Sequence, residues 1–488
     1  MHGITWMACI ISGVHGRGDG ILLPYLAVVC SGRAGGLCSG PYGRFHGTAA
    51  GGVCGSIIPY ADSYTASGIL DGQTRKGRAE IMKLQLDLNR EYGIVLEGGG
   101  AKGAYQVGAW RALREAGIRI KGAAGTSVGA LNGALICMDD FKKAERIWEN
   151  IRYSRVMDVD DEMMERLKKF SLRRISSITS LNVGELISGI KRILKDGGFD
   201  IAPLKGLIED VVDEEKIRNS DRELYVVTYS LSDRQPLIAN VKEAPEGTIG
   251  DMLMASAYLI GFRQEKLGGK YYMDGGGINN VPVDVLIDKG YKDIIVLRIY
   301  GYGIDTEKKL EVPEDVNLYH VAPRQDLGGI LEFDRKRARR NMLLGYFDGK
   351  RMLYGLAGRV YYIDAPEGEP YYFDKMMSEI PCLLSYLKPE YPATGRSGQG
   401  DTAQSGELPG YRVYTERIFP QLAKELKLKD GWDYRELYLS LLEDLAKQYR
   451  ISRFKIYTVD ELLNLIHRKA GSAALKALIP TLDSSPQV

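Results

Sequence analysis

The chain has 488 residues, of which 44% are hydrophobic and 26% are charged, values typical of a globular protein with room for two or three domains. A formal net charge of +2 argues against a dedicated nucleic-acid-binding protein, so nucleic acid is not an expected partner. The longest apolar run, residues 21–30, contains Pro24 and is too short for a membrane-spanning helix. Any membrane contact should therefore be peripheral.

Residues 1–81 differ in composition from the rest of the chain. No lysine occurs before Lys76 and no glutamate before Glu80, while four of the six cysteines lie in the first 54 residues. No C-x-x-C pair occurs, so the spacing predicts neither a metal site nor a redox motif. One hypothesis is that the native chain starts at Met82 and the irregular extension is not native. The alternative is a targeting segment around residues 21–30, and the intact mass of the native protein distinguishes the two.

The sequence after this extension predicts a strand–helix–strand–helix order. An apolar strand at 93–96 is followed by helical periodicity over 104–116. A second strand is predicted at 118–124 and a small-residue helix at 128–137. Because the two strands are joined by a helix of this length, they should lie parallel in one sheet.

Further strands and a change of character are predicted downstream. The strands are expected at 224–229, 270–273, 294–299 and 360–363. Residues 393–411 are rich in Gly, Ser, Thr and Gln and predict a linker, after which residues 412–488 are mostly helical in pattern. The predicted organisation is therefore an α/β domain over 88–385 with a helical C-terminal appendage.

A G-x-S-x-G sequence lies between the second strand and the helix that follows it. In a nucleophile elbow the serine occupies a strained turn at such a junction and exposes its hydroxyl, so Ser127 is the candidate nucleophile. Gly125 and Gly129 would let strand and helix approach without a Cβ clash. The helix N-terminus also favours developing negative charge. The pattern alone is weak in a chain with 58 glycines, and its position at the junction is what gives it weight.

A glycine run lies between the first strand and its helix: Gly98, Gly99, Gly100, Ala101, Lys102 and Gly103. It matches the dinucleotide-binding pattern G-x-G-x-x-G, but the next strand has no carboxylate to bind a ribose. No Ser or Thr follows a Gly-Lys pair, which excludes a P-loop. Unhindered N–H groups beside the elbow suit an oxyanion hole, and a tight turn that requires glycine is compatible with it.

Two residues are candidates for the base that activates the serine. Asp274 follows a predicted strand and precedes Gly275 and Gly276, which allow close approach to a hydroxyl, although Asp-Gly can also simply form a turn. An aspartate is a weak base unless burial raises its pKa. The chain order Ser127, Asp274, His320 would also fit a Ser–His–Asp triad, with a packed or surface histidine as the alternative for His320.

Three motifs together resemble the patatin-like phospholipase family in order and spacing: GGGAKG at 98–103, GTSVG at 125–129 and DGG at 274–276. Asn280 and Pro282 extend the match. The resemblance covers about residues 90–300, and residues 327–346 resemble bacterial members of the family. Ala255-Ser256 resembles the segment that the family places before its aspartate, but residues 258–262 lack the usual prolines.

The resemblance implies a three-layer α/β/α sandwich with a mostly parallel sheet and a Ser–Asp dyad without a catalytic histidine. Ser127 would be the nucleophile, Asp274 the base for the serine and then for the deacylating water, and residues 98–103 the oxyanion hole. The implied substrate is a lipid ester, as in a phospholipase A, a lysophospholipase or a lipid esterase. No cofactor and no metal are implied.

A basic amphipathic stretch spans residues 166–195, with eight Lys or Arg residues against Glu185 and interleaved apolar side chains. Such a stretch can lie on an anionic membrane, and a solvated helical face is the alternative. We expect a cytoplasmic protein that can associate with membranes peripherally. Two other functions stay open at this point, an esterase that uses His320 and a non-catalytic lipid-binding protein on a hydrolase fold.

Overall fold

The computed structural model describes residues 82–172, 197–259, 261–387 and 411–482. Three sequence predictions fall wholly or mostly outside the described residues: the extension 1–81, the basic stretch 166–195 beyond residue 172, and the linker 393–411.

The described residues form nine strands: β1 Glu91–Leu96, β2 Arg119–Thr126, β3 Glu223–Ser230, β4 Gln235–Asn240, β5 Tyr272–Asp274, β6 Asp293–Leu297, β7 Asn317–Val321, β8 Tyr362–Asp364 and β9 Ile456–Thr458. The α-helices of the same ranges are α1 Ala104–Glu115, α2 Val128–Cys137, α3 Phe141–Glu149, α4 Asp161–Leu172, α5 Ala202–Val211, α6 Glu214–Asn219, α7 Ile249–Ser256, α8 Val283–Asp288, α9 Arg335–Tyr354, α10 Glu369–Leu387, α11 Tyr411–Val413, α12 Phe419–Glu425, α13 Tyr434–Gln448 and α14 Val459–Leu482. The observed bounds of each strand and helix predicted above lie within two residues of the predicted bounds.

The central sheet has the strand order β4-β3-β2-β1-β6-β7, with β5 paired to β3. β1 pairs parallel with β2 and β6, β2 pairs parallel with β3, and β6 pairs parallel with β7. Only β4 and β5 run antiparallel within this sheet. The interior strands β1, β3 and β6 are buried on both faces, which explains their largely apolar sequences.

Successive residues of the buried strands point into two different cores, one on each face of the sheet. In β1, Ile94 and Leu96 belong to the larger core, while Val95 belongs to the smaller one. The larger core also takes residues of α1, α2, α7 and α9, and the smaller core takes residues of α8. Helices therefore cover both faces, which confirms the predicted three-layer α/β/α fold.

The pairing of β3 brings two distant parts of the chain together. One edge of β3 is paired with β4. Along the other edge, β2 ends with Thr126 opposite Val227, and β5 takes over with Asp274 opposite Thr228. Because Ser127 directly follows Thr126, the end of β2 and the end of β5 meet at neighbouring positions of β3. The sheet thus places Asp274 beside Ser127.

The C-terminal helices share a separate core with residues 361–383. β8 pairs parallel with β9, and residues of α10, α12, α13 and α14 pack in one buried cluster. The boundary near residue 385 predicted from composition therefore falls inside this second core. The polar segment on which that boundary rests joins two helices of the same core.

Candidate active site

Ser127 forms a strained turn between β2 and α2. Its backbone angles are φ 54° and ψ −127°, a region that residues other than glycine rarely adopt. The two glycines of the motif are needed for the surrounding contacts. A Cβ on Gly125 would lie 2.5 Å from Gly129 C, and a Cβ on Gly129 would lie 2.1 Å from Leu96 O. The close packing of α2 against β1 and β2 therefore depends on both positions.

Ser256 fixes the backbone of this turn from the end of α7. The Ser127 N–H donates to Ser256 Oγ at 2.8 Å, and the Ser256 hydroxyl donates to Val227 O at 2.6 Å. Ser256 is completely buried, so an apolar replacement would leave both backbone groups without partners. The sequence motifs predict no role for Ser256, although Ala255-Ser256 resembles the segment that the patatin-like phospholipase family places before its aspartate.

Asp274 presents a buried carboxylate next to the elbow. Its Oδ1 accepts a 2.8 Å hydrogen bond from Gly276 N, and its Oδ2 has no hydrogen-bond partner among the described residues. The turn after it requires glycine, because a Cβ on Gly275 would lie 2.2 Å from Val227 O. The second oxygen is thus available for a proton.

Burial raises the pKa of Asp274 from 3.8 to about 6, and the Ser127 hydroxyl and the Gly276 N–H oppose this shift. The hydroxyl is near enough to lower the pKa of the carboxyl, yet no hydrogen bond of standard geometry joins the two side chains in this structure. Such contacts are often long in a site without substrate. The carboxylate has the proton affinity expected of a base that works near neutral pH.

The glycine run curves past the serine. A Cβ on Gly98 would lie 3.3 Å from Ser127 Cβ, so a side chain there would crowd the nucleophile. Gly100 has φ 55°, and a Cβ on it would lie 2.1 Å from Ile330 O. A Cβ on Gly103 would lie 2.5 Å from Val128 Cγ2, at the start of α2. The run is therefore held between the elbow and the segment before α9.

Two N–H groups of the run are free to bind an anion. Three others are already used: Gly98 N donates to Asn280 O at 3.1 Å, Ala101 N to Ile330 O at 2.7 Å and Lys102 N to Gly99 O at 3.2 Å. Gly99 and Gly100 donate no hydrogen bond to any group of the described ranges. Among residues 98–102, Gly99 and Gly100 are thus the two whose N–H groups have no partner in the described ranges.

The Lys102 side chain takes no part in the predicted oxyanion hole. It is buried, and its Nζ donates a 2.6 Å hydrogen bond to Tyr300 O. Burial lowers the pKa of Lys102. The lysine therefore ties the glycine run to the loop that follows β6.

Glu97, directly before the glycine run, organises the same loop. Its carboxylate accepts three backbone hydrogen bonds: from Ile299 N at 2.7 Å, from Tyr300 N at 3.0 Å and from Gly301 N at 3.0 Å. It also accepts a 3.0 Å bond from Arg298 Nε. Glu97 is missing from the predicted site, and its only sequence signal is a glutamate at the end of a buried strand.

His320 does not lie near Ser127. It belongs to β7, which is three strands from β2 in the sheet order and hence about 14 Å away. Its side chain is 43% exposed and pairs with Glu307. The geometry therefore places Asp274, and not His320, beside the serine.

The described segments contain no cluster of His, Cys, Asp and Glu side chains suited to a metal ion. No helix of these segments is both long enough and apolar enough to span a bilayer.

Comparison with known proteins identifies the segment that carries the site. The model of the patatin-like phospholipase family matches residues 94–287. Patatin-like phospholipase domain-containing protein 7 of Rattus norvegicus is 29% identical over 209 residues, which are 42% of this chain and 13% of that protein. Neuropathy target esterase sws of Drosophila melanogaster is 27% identical over 222 residues, 44% of this chain and 13% of that protein. The chain thus matches only a small part of the length of these relatives.

A shorter match and the solved structures complete the comparison. Lysophospholipase nte1 of Aspergillus terreus is 58% identical over 50 residues, 10% of this chain and 3% of that protein. VipD of Legionella pneumophila is 14% identical with a TM-score of 0.32, covering 79% of this chain and 88% of that one. ExoU of Pseudomonas aeruginosa, solved with SpcU, is 15% identical with a TM-score of 0.27, covering 74% and 78%. Ser127 and Asp274 both lie in the segment 94–287 that matches the model of the patatin-like phospholipase family.

Proposed function

We propose that the chain hydrolyses carboxylic esters of lipids through an acyl-enzyme on Ser127, with Asp274 as the only side-chain base. The observation that carries the proposal is the pairing of β5 with β3, which puts a buried carboxylate with one unpartnered oxygen beside the elbow serine. The family match over residues 94–287 supports a lipid hydrolase.

Acylation follows from this arrangement. Ser127 Oγ attacks the carbonyl carbon of the ester while its proton passes to Asp274 Oδ2. The electron pair of the carbonyl moves to its oxygen, and the N–H groups of Gly99 and Gly100 donate to the resulting oxyanion. When the carbonyl re-forms, the bond to the alcohol breaks, and the alcohol leaves with the proton held by Asp274. An acyl ester of Ser127 remains.

Deacylation uses the same groups. Asp274, ionised again, takes a proton from a water molecule that attacks the acyl carbonyl. The second oxyanion occupies the same pair of N–H groups. As it collapses, Ser127 Oγ leaves and recovers a proton from Asp274, and the fatty acid is released.

The proposed substrate is a phospholipid or a lysophospholipid. One relative supports this choice, since it is called a lysophospholipase, and another is called an esterase. The match to the lysophospholipase covers only 50 residues, so the head group is a matter for assay.

The direct test combines a fluorophosphonate probe with a phospholipid that carries a reporter acyl chain. We expect the parent to be labelled and to release fatty acid, Ser127→Ala to do neither, and Asp274→Asn to lose release. Ser378→Ala and Asp444→Asn, both exposed and remote in the chain, are the matched controls and should behave as the parent.

The remaining outcomes separate the alternatives. Loss of release in His320→Ala would favour the Ser–His–Asp esterase, because the proposed dyad gives His320 no role. A parent that binds lipid vesicles but takes no label and releases no fatty acid would instead be a lipid-binding protein on a hydrolase fold.

A further inference from the structure

The loop after β6 exposes an unusual concentration of large apolar side chains. Ten large hydrophobic residues are exposed in the described part of the chain, and three of them lie within residues 300–304. Tyr300 and Tyr302 are each 55% exposed and Ile304 is 53% exposed. We call residues 300–304 the rim loop. A cluster of this kind on a protein surface marks a contact with another surface.

The rim loop touches both catalytic turns. A Cβ on Gly301 would lie 1.8 Å from Gly98 O, and a Cβ on Gly303 would lie 2.5 Å from Gly276 O. Ile304 N also donates a 2.8 Å hydrogen bond to Gly276 O. Its exposed side chains therefore stand next to the backbone that would bind the oxyanion and next to the turn that carries the base.

The rim loop is fixed in this position. Glu97 binds the N–H groups of Tyr300 and Gly301, and Lys102 binds the carbonyl of Tyr300. Tyr300 is held at φ 49°, which costs energy for a residue with a side chain. The apolar side chains are thus presented to solvent by a restrained backbone.

The residues that follow bear on the kind of surface that the rim loop fits. Asp305 and Glu307 are largely buried and pair with Arg298. Lys308 is 77% exposed, with its Nζ 3.5 Å from Asp305 Oδ2, and Lys309 is also exposed. Residues 300–309 therefore show two tyrosines, an isoleucine and two cations to solvent. Tyrosine prefers the boundary between head groups and acyl chains, and lysine is attracted to anionic head groups.

We propose that the rim loop docks the protein on an anionic lipid surface, with Tyr300, Tyr302 and Ile304 inserted at the head-group boundary. This inference rests on the proposed function, because docking there would bring the ester of a surface lipid to Ser127. It assigns the contact to the rim loop, a different segment from the basic stretch 166–195.

The test removes apolar side chains without touching the catalytic groups. The variant Tyr302→Ser/Ile304→Ser is compared with Leu88→Ser/Leu343→Ser, which removes two residues of similar exposure, 47% and 40%, elsewhere. Binding to vesicles of phosphatidylglycerol and phosphatidylcholine is measured by co-sedimentation with Ser127→Ala as background, so that it does not depend on turnover. We expect the variant Tyr302→Ser/Ile304→Ser to bind these vesicles on the order of tenfold or more weakly than the protein without it. The control Leu88→Ser/Leu343→Ser should stay within about twofold of that protein.

Activity assays separate this inference from the proposed function. With Ser127 intact, Tyr302→Ser/Ile304→Ser should lose activity on phospholipid vesicles and keep activity on the water-soluble ester p-nitrophenyl butyrate. Vesicle binding equal to that of the parent would overturn the docking proposal even if both esters are hydrolysed. Vesicle binding through the rim loop with no hydrolysis of either ester would leave docking intact and overturn the proposed function.

A second variant guards against a folding defect. Tyr302→Trp keeps an aromatic ring, and its added fluorescence should shift to shorter wavelength when vesicles are present. An emission spectrum unchanged by vesicles would contradict insertion of this side chain. Vesicles of phosphatidylcholine alone should bind more weakly, and equal binding would remove the two lysines from the docking surface.

Discussion

At the scale of single residues, the proposed role of Asp274 as the base predicts a pH range for activity. A general base acts in its ionised form, and burial raises the pKa of this carboxyl to about 6. We therefore expect kcat/KM on a soluble ester to rise with pH and to level off above an apparent pKa of about 6. A rate that falls as pH increases through this range would contradict the role of base.

The same burial predicts that the base lowers the stability of the fold. The folded-state pKa of about 6 exceeds the ordinary 3.8, so the folded state holds the proton more tightly and stability is lost as pH rises between these values. At pH 8 the ionised carboxyl should cost roughly 3 kcal/mol. Asp274→Asn, which keeps the acceptor for Gly276 N, should unfold at a higher denaturant concentration than the parent at pH 8.

That gain should disappear near pH 3.5, where the parent carboxyl is protonated in both states. Chemical denaturation at the two pH values measures the difference, with Asp444→Asn as the exposed control. An equal gain at both pH values would point to a cause other than the buried charge.

The sequence predicts some site residues and misses others for a physical reason. Ser127 and Asp274 stand in local patterns of glycine that a tight turn or a close approach requires, so they can be found from neighbouring residues. Ser256 and Glu97 act on backbone groups 129 and 202 residues away in the chain. Only the fold shows those partners.

At the scale of elements, the contact between α1 and α9 depends on glycine. A Cβ on Gly345 would lie 1.9 Å from Tyr105 O, whereas a Cβ on Gly206 in α5 would meet nothing within 4 Å. We expect Gly345→Ala to lower the free energy of unfolding by about 1–3 kcal/mol through overpacking. Gly206→Ala should raise it by about 0.5–1 kcal/mol, since alanine favours a helix.

Thermal unfolding of the two variants measures the contrast. Because both changes add one methyl group to a helix, intrinsic propensity is the same in each. Similar stability changes in the two variants would contradict the close approach of α1 and α9.

Exposure hides the pattern of one strand that the sequence does not predict. No strand is predicted at β4, which is an antiparallel edge strand with no fully buried residue, contains Pro236 and exposes Ile238. Proline is tolerated on an edge, where one face of the backbone needs no partner. The parallel strands β1, β3 and β6 are predicted well because both of their faces are buried.

At the scale of the whole molecule, the second core should prevent a clean cut at the predicted boundary. Ile363, Tyr372, Met376, Ile380 and Leu383 are all buried against residues beyond 411 or against one another. A chain that ends at Leu387 would expose this apolar surface. We expect it to aggregate or to melt well below the intact chain, as measured by light scattering and calorimetry.

The reverse outcome has a clear meaning. A chain ending at Leu387 that stays monomeric and melts with the intact protein would show that 88–385 is an independent domain, as its composition suggests. The polar segment at 393–411 cannot decide this from sequence, because a change of composition marks a connection and does not show which cores it joins.

The short strand β5, which ends in the proposed base Asp274, is held in the sheet by few contacts. Three backbone pairs hold Tyr272–Asp274 against β3, and one further bond joins Asp274 N to Tyr258 O at 2.9 Å. A segment with so few contacts can open without global unfolding. Amide hydrogen exchange at Asp274 should therefore be faster than in β1 or β6, and heat should inactivate the protein before its helices melt. Exchange as slow as that of the central strands would show that the whole sheet opens as one unit. If β5 opens first, the time for which the protein stays active at high temperature is set by three residues of its sheet and only indirectly by its melting point.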